Sequence, residues 1–109
     1  MFKSCLNNHF DIANYIEEIS SKPVDKRVIQ EYFFDCSAVL KECFIETLVL
    51  MDKDKHLPDK ILERKYAKLP LETMPPLIVE DNKVIDGNHR YRVLKKIGVK
   101  KVWIYKIKN

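Results

Sequence analysis

The sequence predicts an α/β (α+β) fold in which helices pack on a small mixed β-sheet. Three observations predict it. Residues 84–97 have the pattern of a strand that turns directly into an amphipathic helix. Residues 77–85 contain two short apolar runs that flank the turn-forming pair Asp81-Asn82, a pattern typical of a hairpin. Residues 102–107 form a last apolar run of strand length.

The N-terminal third predicts two helices. Apolar residues recur near helical spacing through residues 8–21, and Asn7 or Asn8 is suited to cap that helix. Pro23 ends it, because the residue before a proline avoids the α region. A second helix follows Pro23, and its apolar residues are expected on one face: Val28, Ile29, Tyr32 and Phe33. Residues 1–35 are therefore predicted to be an N-terminal helical extension, which leaves residues 36–109 as the main domain.

The middle of the chain is less regular. Residues 36–51 fit a helix by their spacing, and residues 38–44 also fit a strand, so the pattern alone leaves both open. The acidic pair Asp52 and Asp54 would suit a metal site, but a solvated turn is favoured because charge runs mark exposed loops. A further helix is predicted from Pro58, with one buried face formed by Ile61, Leu62, Lys65 and Tyr66.

The residues at the two ends of the last predicted helix are suited to start and to end it. Gly87 permits a sharp reversal because glycine accepts positive φ at little steric cost. Asn88 is a good N-cap residue, and Gly98 stands where a left-handed C-terminal cap is expected. Tyr91, Leu94 and Ile97 recur at helical spacing and are expected to face the core.

This helix N-terminus is a candidate anion site. Free backbone N–H groups and the helix dipole both favour a negative charge there. His89 and Arg90 stand in the first turn, where a cation is poorly placed unless an anion is bound. The alternative is a plain strand-turn-helix with a solvated histidine and arginine.

The same residues resemble the ParB/sulfiredoxin superfamily. The Pro75-Pro76-Leu77-Ile78-Val79 strand, the Asp86-Gly87-Asn88-His89-Arg90 turn and the helix and strand that follow match the family pattern. The resemblance covers roughly residues 36–107 and is strongest over 74–98. The Asp-Gly-Asn-His-Arg form is similar to ParB-like proteins of phages, plasmids and other mobile elements, and to the Asp-Gly-His-His-Arg turn of free-serine kinases.

The resemblance implies a fold and a ligand. It favours a strand over residues 38–44 followed by a turn off the sheet at 45–48. In relatives the glycine turn binds nucleotide phosphates, often with a magnesium ion, which implies ATP, ADP or CTP and Mg²⁺ here. The helix before the Pro-Pro strand forms a wall of the family's pocket, so Arg64 and Tyr66 become further candidates for nucleotide binding.

The sequence differs from two branches of the superfamily, and these differences limit the activities that the resemblance implies. Sulfiredoxins carry the catalytic cysteine where Asn88 stands, so sulfinic-acid reductase chemistry is not expected. Partition ParB proteins have Glu-Arg in place of Asn88-His89 and a helix-turn-helix domain further along the chain. Because this chain ends at Asn109, we expect neither centromere recognition nor a dimerisation tail.

Composition and cysteine content limit the class of protein and the compartment in which it is expected. The 109 residues suffice for one core, and 46% hydrophobic with 33% charged residues excludes a disordered chain. The three cysteines lack paired short spacing, which favours a reducing compartment without disulfides. No secretory or membrane-spanning segment is expected, so we predict a cytoplasmic protein without membrane contact.

The charge is unevenly distributed. The net charge is +4, but residues 83–109 carry nine basic residues and one acid, Asp86, whereas residues 1–82 carry a net −4. The C-terminal part is therefore a candidate phosphate-facing surface. For its exposed lysines a solvated face is the favoured alternative.

Three classes of function follow. In the first, the domain performs phosphate chemistry as a nucleotide hydrolase, a small-molecule kinase or a nuclease. Asp86 would be a metal ligand or general base, His89 a proton shuttle or phosphate donor, and Arg90 a clamp on the phosphate. In the second, it binds DNA or a nucleotide without turnover. In the third, it is an interaction protein of a mobile element, with residues 1–35 contacting a protein partner.

Overall fold

The computed structural model describes residues 2–20, 23–50, 64–65, 67–68, 70 and 73–109. This part of the chain contains both strands and helices. In chain order they are β1 (Cys5–Leu6), α1 (His9–Ile19), α2 (Lys26–Tyr32), β2 (Ser37–Phe44), β3 (Val49–Leu50), β4 (Leu77–Glu80), β5 (Lys83–Asp86), α3 (Asn88–Lys96) and β6 (Lys101–Lys108).

The six strands form one mixed sheet in the order β1-β2-β6-β4-β5-β3. β2 pairs antiparallel with β6 along its whole length, from Ser37 opposite Lys108 to Phe44 opposite Lys101. β4 runs parallel to β6 and antiparallel to β5, and the short β3 extends the sheet in parallel beside β5. The predicted α/β (α+β) class with a small mixed sheet is therefore confirmed.

Helices cover the middle of the sheet on both faces. α1 and α2 contribute to a hydrophobic cluster that includes Ile78 and Tyr105. α3 contributes to a second cluster that includes Leu77, Val79 and Ile104. Because successive strand residues point to opposite faces, the neighbours Ile104 and Tyr105 enter different clusters. The middle strands are thus buried from both sides, and the ends of β6 are not.

The N-terminal segment is part of the same sheet and core. β1 pairs with β2, with Cys5 opposite Val39. α1 begins where the Asn8 side chain accepts a hydrogen bond from the Asp11 N–H at 3.0 Å, and its Ile12 and Ile16 are buried against the sheet. The helix predicted over residues 8–21 is confirmed over His9–Ile19. The division of the chain at residue 35 stays a prediction.

The face predicted for α2 is partly wrong. Ile29 and Phe33 pack against the core, whereas Val28 and Tyr32 are 61% and 51% exposed. The helix has only seven residues, capped by the Asp25 side chain. So short a helix buries one narrow stripe, and residues that stand one position away from that stripe remain in solvent.

The strand expected over residues 38–44 is present as β2, and a 3-10 turn at Ile45–Thr47 leads off it as expected. The structure adds two strands that were not predicted, β1 and β3. Each has two residues, which is too short for a periodic pattern in the sequence. Asp52, Asp54 and most of the helix predicted from Pro58 lie outside the described residues. Lys65 of that helix is described as helical, but it is exposed and not on a buried face as expected.

The hairpin and the last helix follow the sequence closely. Asp81 and Asn82 adopt φ values of 50° and 65°, the left-handed conformation that a tight two-residue hairpin turn needs. Gly98 follows the helix with a φ of 80°. Ile97 was expected in the core but is 51% exposed, because it is the C-cap of α3 and its side chain leaves the helical stripe.

Leu94→Ala should lower the free energy of unfolding by about 2–5 kcal/mol, because it removes a buried side chain from the cluster beneath α3. Ile97→Ala is the matched control and should cost about 0.5 kcal/mol, since that side chain is half in solvent. Urea unfolding measures both. Equal losses would place Ile97 in the core, as the sequence pattern alone suggests.

Candidate functional site

The candidate site is the turn that joins β5 to α3. β5 ends at Asp86, Gly87 adopts φ 102° and ψ 29°, and α3 begins at Asn88. The first helical hydrogen bond runs from the Tyr91 N–H to the Gly87 carbonyl at 2.8 Å. The positive φ predicted for Gly87 is confirmed, and the chain reverses within a single residue.

The cap predicted from the sequence is wrong by one residue. Gly87 is the N-cap of α3, and as a glycine it has no side chain with which to cap the helix. Asn88 is already helical, so its side chain is not placed to accept the amides that an N-cap residue would satisfy. The first amides of a helix have no intrahelical acceptor, and Gly87 offers them no side-chain acceptor. Asn88 Oδ1 is buried, and among the described residues it has no hydrogen-bond donor.

Gly87 is required by space as well as by conformation. A Cβ atom built on it would lie 2.6 Å from Leu77 Cδ2 and 2.7 Å from Arg90 Nη2. Real Cβ atoms essentially never approach other atoms so closely. The guanidinium of Arg90 therefore packs directly against the backbone of the turn.

Arg90 lies beneath the turn and is only 3% exposed. Its Nη1 donates hydrogen bonds to the carbonyls of Pro75 at 2.9 Å and Pro76 at 3.2 Å. Its Nη2 donates to Asp86 Oδ2 at 3.0 Å, which closes a salt bridge across the turn. The residue expected to clamp a phosphate thus gives these donors to the protein itself. Its charge remains close to the turn, next to Gly87.

Asp86 is the more accessible partner of this salt bridge, with a side chain 34% exposed. Burial raises the pKa of its carboxyl, and the Arg90 guanidinium opposes that rise. A carboxylate with a raised pKa is a better proton acceptor at neutral pH than an ordinary one. Asp86 is therefore a partly open carboxylate whose pKa lies above the ordinary value because of burial.

Comparisons with known proteins identify this fold. No family model and no curated protein matches the sequence. Among solved structures, the chain is similar to a "Pnob8-like ParB-N domain" at 25% identity and a TM-score of 0.58, over 69% of this chain and 32% of that one. It is similar to a "pNOB8-like ParB N-domain" at 26% identity and a TM-score of 0.56, over 81% of this chain and 30% of that one.

The chain folds as a ParB-like domain. Each match spans about a third of the ParB chain concerned. The ParB-like part of the resemblance found in the sequence is confirmed. The mobile-element type of the Asp86–Arg90 turn stays a prediction.

The ParB-like fold brings together five of the predicted site residues. Asp86, Gly87, Asn88, His89 and Arg90 form one continuous turn, and the first four are partly accessible. Of the two remaining candidates, Arg64 is helical and exposed, and Tyr66 lies outside the described residues.

Sequence reasoning missed the groups that surround Arg90. These are the Pro75 and Pro76 carbonyls and the Tyr15 hydroxyl, which also donates to the Pro76 carbonyl. The proline pair signals an extended segment, which leaves its carbonyls open to side-chain donors. Nothing in the pattern of α1 distinguishes Tyr15 from an ordinary core residue.

A magnesium site at Asp86 stays a prediction. Among the described residues, no three His, Cys, Asp or Glu side chains stand close enough to hold a metal ion. Mg²⁺ is commonly held by one or two carboxylates together with substrate phosphates. The Asp86 carboxylate, whose side chain is 34% exposed, is an oxygen ligand of the kind that this ion accepts, so it fits the ion once a phosphate is bound.

The structure also shows the residues predicted to contact a protein partner or DNA. On the N-terminal segment, His9 contacts the rings of Phe10 and Phe34, whose exposures are 54% and 66%. Lys95, Lys96 and Lys100 are exposed at the opposite end of α3 from the Gly87 turn. No helix in the described part of the chain is long and apolar enough to cross a membrane.

Gly87→Ala should cost about 3 kcal/mol of unfolding free energy, because its methyl group would meet Leu77 and Arg90 and a left-handed alanine is strained. Gly98→Ala is the matched control: its φ is also positive, at 80°, but nothing lies within 4 Å of its Cβ position. It should cost about 1 kcal/mol. Chemical denaturation of the two variants separates backbone strain from close packing, and equal costs would show that Arg90 does not pack on the turn.

Proposed function

We propose that this ParB-like domain binds a nucleotide or another phosphate-bearing small molecule at the first turn of α3. The observation that carries the proposal is the open N-terminus of α3, which starts from a left-handed glycine and has no side-chain cap. Backbone amides and the helix dipole at such a terminus attract phosphate oxygens. The resemblance of the Asp86–Arg90 turn to the phosphate-binding turns of the ParB/sulfiredoxin superfamily favours the same location.

Each residue of the turn then has a role. The amides that follow Gly87 hold the phosphate, and His89 adds a side-chain donor or shuttles a proton. Arg90 contributes its positive charge from beneath the turn, while its hydrogen bonds hold the turn in shape. Asp86 accepts a proton or contacts a magnesium ion that accompanies the phosphate. Arg64 and Tyr66 provide a wall for the ligand.

Two readings of this site differ in chemistry. Turnover would make the domain a nucleotide hydrolase, a small-molecule kinase or a nuclease, with Asp86 as the base that activates a hydroxyl or water. Binding without turnover would make it a nucleotide-responsive module. Release of inorganic phosphate from ATP, ADP or CTP, with and without magnesium, separates the two.

His89→Ala should weaken the binding of ATP, ADP or CTP by about tenfold, because a side-chain donor to the phosphate is lost. Calorimetric titration with magnesium present measures this. Lys100→Ala removes a positive charge beyond the far end of α3 and should leave the affinity within about twofold, since salt screens distant surface charges. An unchanged affinity in His89→Ala, or no binding of any of the three nucleotides to the parent, would contradict the proposal.

A second candidate function is the binding of single-stranded nucleic acid. The pairing of β2 with β6 places Phe44, Lys101 and Trp103 on one face of the sheet, and both aromatic side chains are about half exposed, at 50% and 52%. Lys101 Nζ lies 5.3 Å from the centre of the Phe44 ring. Exposed rings beside a basic side chain are typical of surfaces on which bases stack. The basic C-terminal part of the chain favours the same ligand.

Trp103→Ala should weaken binding of a fluorescent single-stranded oligonucleotide by about tenfold if bases stack on this face. Tyr32→Ala is the control, since Tyr32 on α2 is equally exposed, at 51%. Raising the salt concentration should reduce the affinity of the parent and of both variants. Binding that is insensitive to salt, or equally sensitive to both substitutions, would remove this candidate.

A further inference from the structure

Tyr15 connects the N-terminal helix to the candidate site. It lies on α1 and is 7% exposed, and its hydroxyl donates a buried hydrogen bond to the carbonyl of Pro76, which is 61 residues further along the chain. That carbonyl is also an acceptor for Arg90 Nη1 at 3.2 Å. One backbone oxygen thus joins a side chain of α1 to the guanidinium beneath the Gly87 turn.

The connection continues from Arg90 to the surface of the site. Arg90 Nη2 holds Asp86 Oδ2 at 3.0 Å and would lie only 2.7 Å from a Cβ on Gly87. Space under the turn is therefore fully occupied. A small displacement of the guanidinium has to move the Asp86 carboxylate, the Gly87 backbone or both.

Electrostatics keep the Tyr15 hydroxyl as a donor. Burial raises the pKa of Tyr15, and the nearby Arg90 charge opposes the rise without reversing it. The phenol therefore stays protonated across the physiological range. The Pro76 carbonyl can then serve Tyr15 and Arg90 at the same time, since a carbonyl oxygen has two lone pairs.

We propose that Tyr15 is a positioning residue for the phosphate site: by fixing the Pro76 carbonyl, its hydroxyl sets the place of Arg90 beneath the Gly87 turn. The inference rests on the proposed function for its effect on ligand affinity. Its structural part, the dependence of Arg90 on the Tyr15 hydroxyl, stands independently of any ligand. The N-terminal helix α1 then affects ligand binding through Tyr15, although it contributes no residue to the turn.

The test compares Tyr15→Phe with Tyr105→Phe. Tyr105 is a close match, because its ring contacts that of Tyr15 at 4.8 Å and its hydroxyl also donates to a backbone carbonyl, that of Lys3 at 2.8 Å. Each variant loses one such hydrogen bond, so both should show a similar small decrease in the urea midpoint of unfolding. Only Tyr15→Phe should weaken the affinity for ATP with magnesium, by about tenfold, as the loss of an outer partner of a binding site commonly does.

A second readout needs no ligand. In NMR spectra of ¹⁵N-labelled protein, the chemical shift of the Arg90 Nε–H signal reports the environment of the guanidinium. The rate at which this proton exchanges with solvent reports how well the guanidinium is shielded from water. Tyr15→Phe should shift this signal and speed its exchange with solvent, and Tyr105→Phe should leave it unchanged. If Arg90 responds in this way but the parent binds no ATP, the positioning contact stands and the proposed function fails.

The opposite results overturn the inference. An Arg90 signal that is unchanged in Tyr15→Phe, or changed equally in both variants, would show that the Tyr15 hydroxyl only stabilises the core. If the parent binds ATP and Tyr15→Phe binds it with equal affinity, the Tyr15 hydroxyl does not position the phosphate site.

Discussion

The structure around the candidate site depends on the buried guanidinium of Arg90. It is bound to the Asp86 carboxylate and to the carbonyls of Pro75 and Pro76, and it packs against Gly87. Removing one partner of a buried ion pair commonly costs about 3–5 kcal/mol, because the other charge is left without compensation. The strand β5, the extended segment before β4 and the start of α3 are therefore held in one arrangement by a single side chain.

This arrangement explains why the N-cap position of α3 is a glycine. A helix terminus is usually satisfied by a capping side chain, and here the glycine that fits over Arg90 cannot supply one. Arg90 holds the turn from the buried side through its hydrogen bonds to Asp86, Pro75 and Pro76. The same contact leaves Asp86 partly exposed, with a pKa that burial raises. The packing that stabilises the turn therefore also sets the environment of the proposed anion site.

The outline of the fold was accessible from the sequence because its signals are local. The hairpin turn at Asp81-Asn82, the glycines at both ends of α3 and the first cap of α1 each follow from the conformational preferences of one or two residues. The two-residue strands β1 and β3 were not accessible, since only their pairing partners define them. The side of α2 that faces the core and the exposure of Ile97 were missed because helical spacing does not say where the neighbouring elements end.

The sequence by itself determined the strand-glycine-helix turn and its set of chemical groups, because glycine conformation and helix periodicity are properties of a short segment. It did not determine how those groups are used. Tertiary structure decided that Arg90 points inward, since the acceptors that hold it come from residues 75–76, and that Tyr15 reaches the same carbonyl from a helix far away in the chain. Distant segments bury and hydrogen-bond a side chain only when the sheet brings those segments together. Whether an arginine is buried with structural partners or exposed to solvent is therefore decided by the tertiary structure.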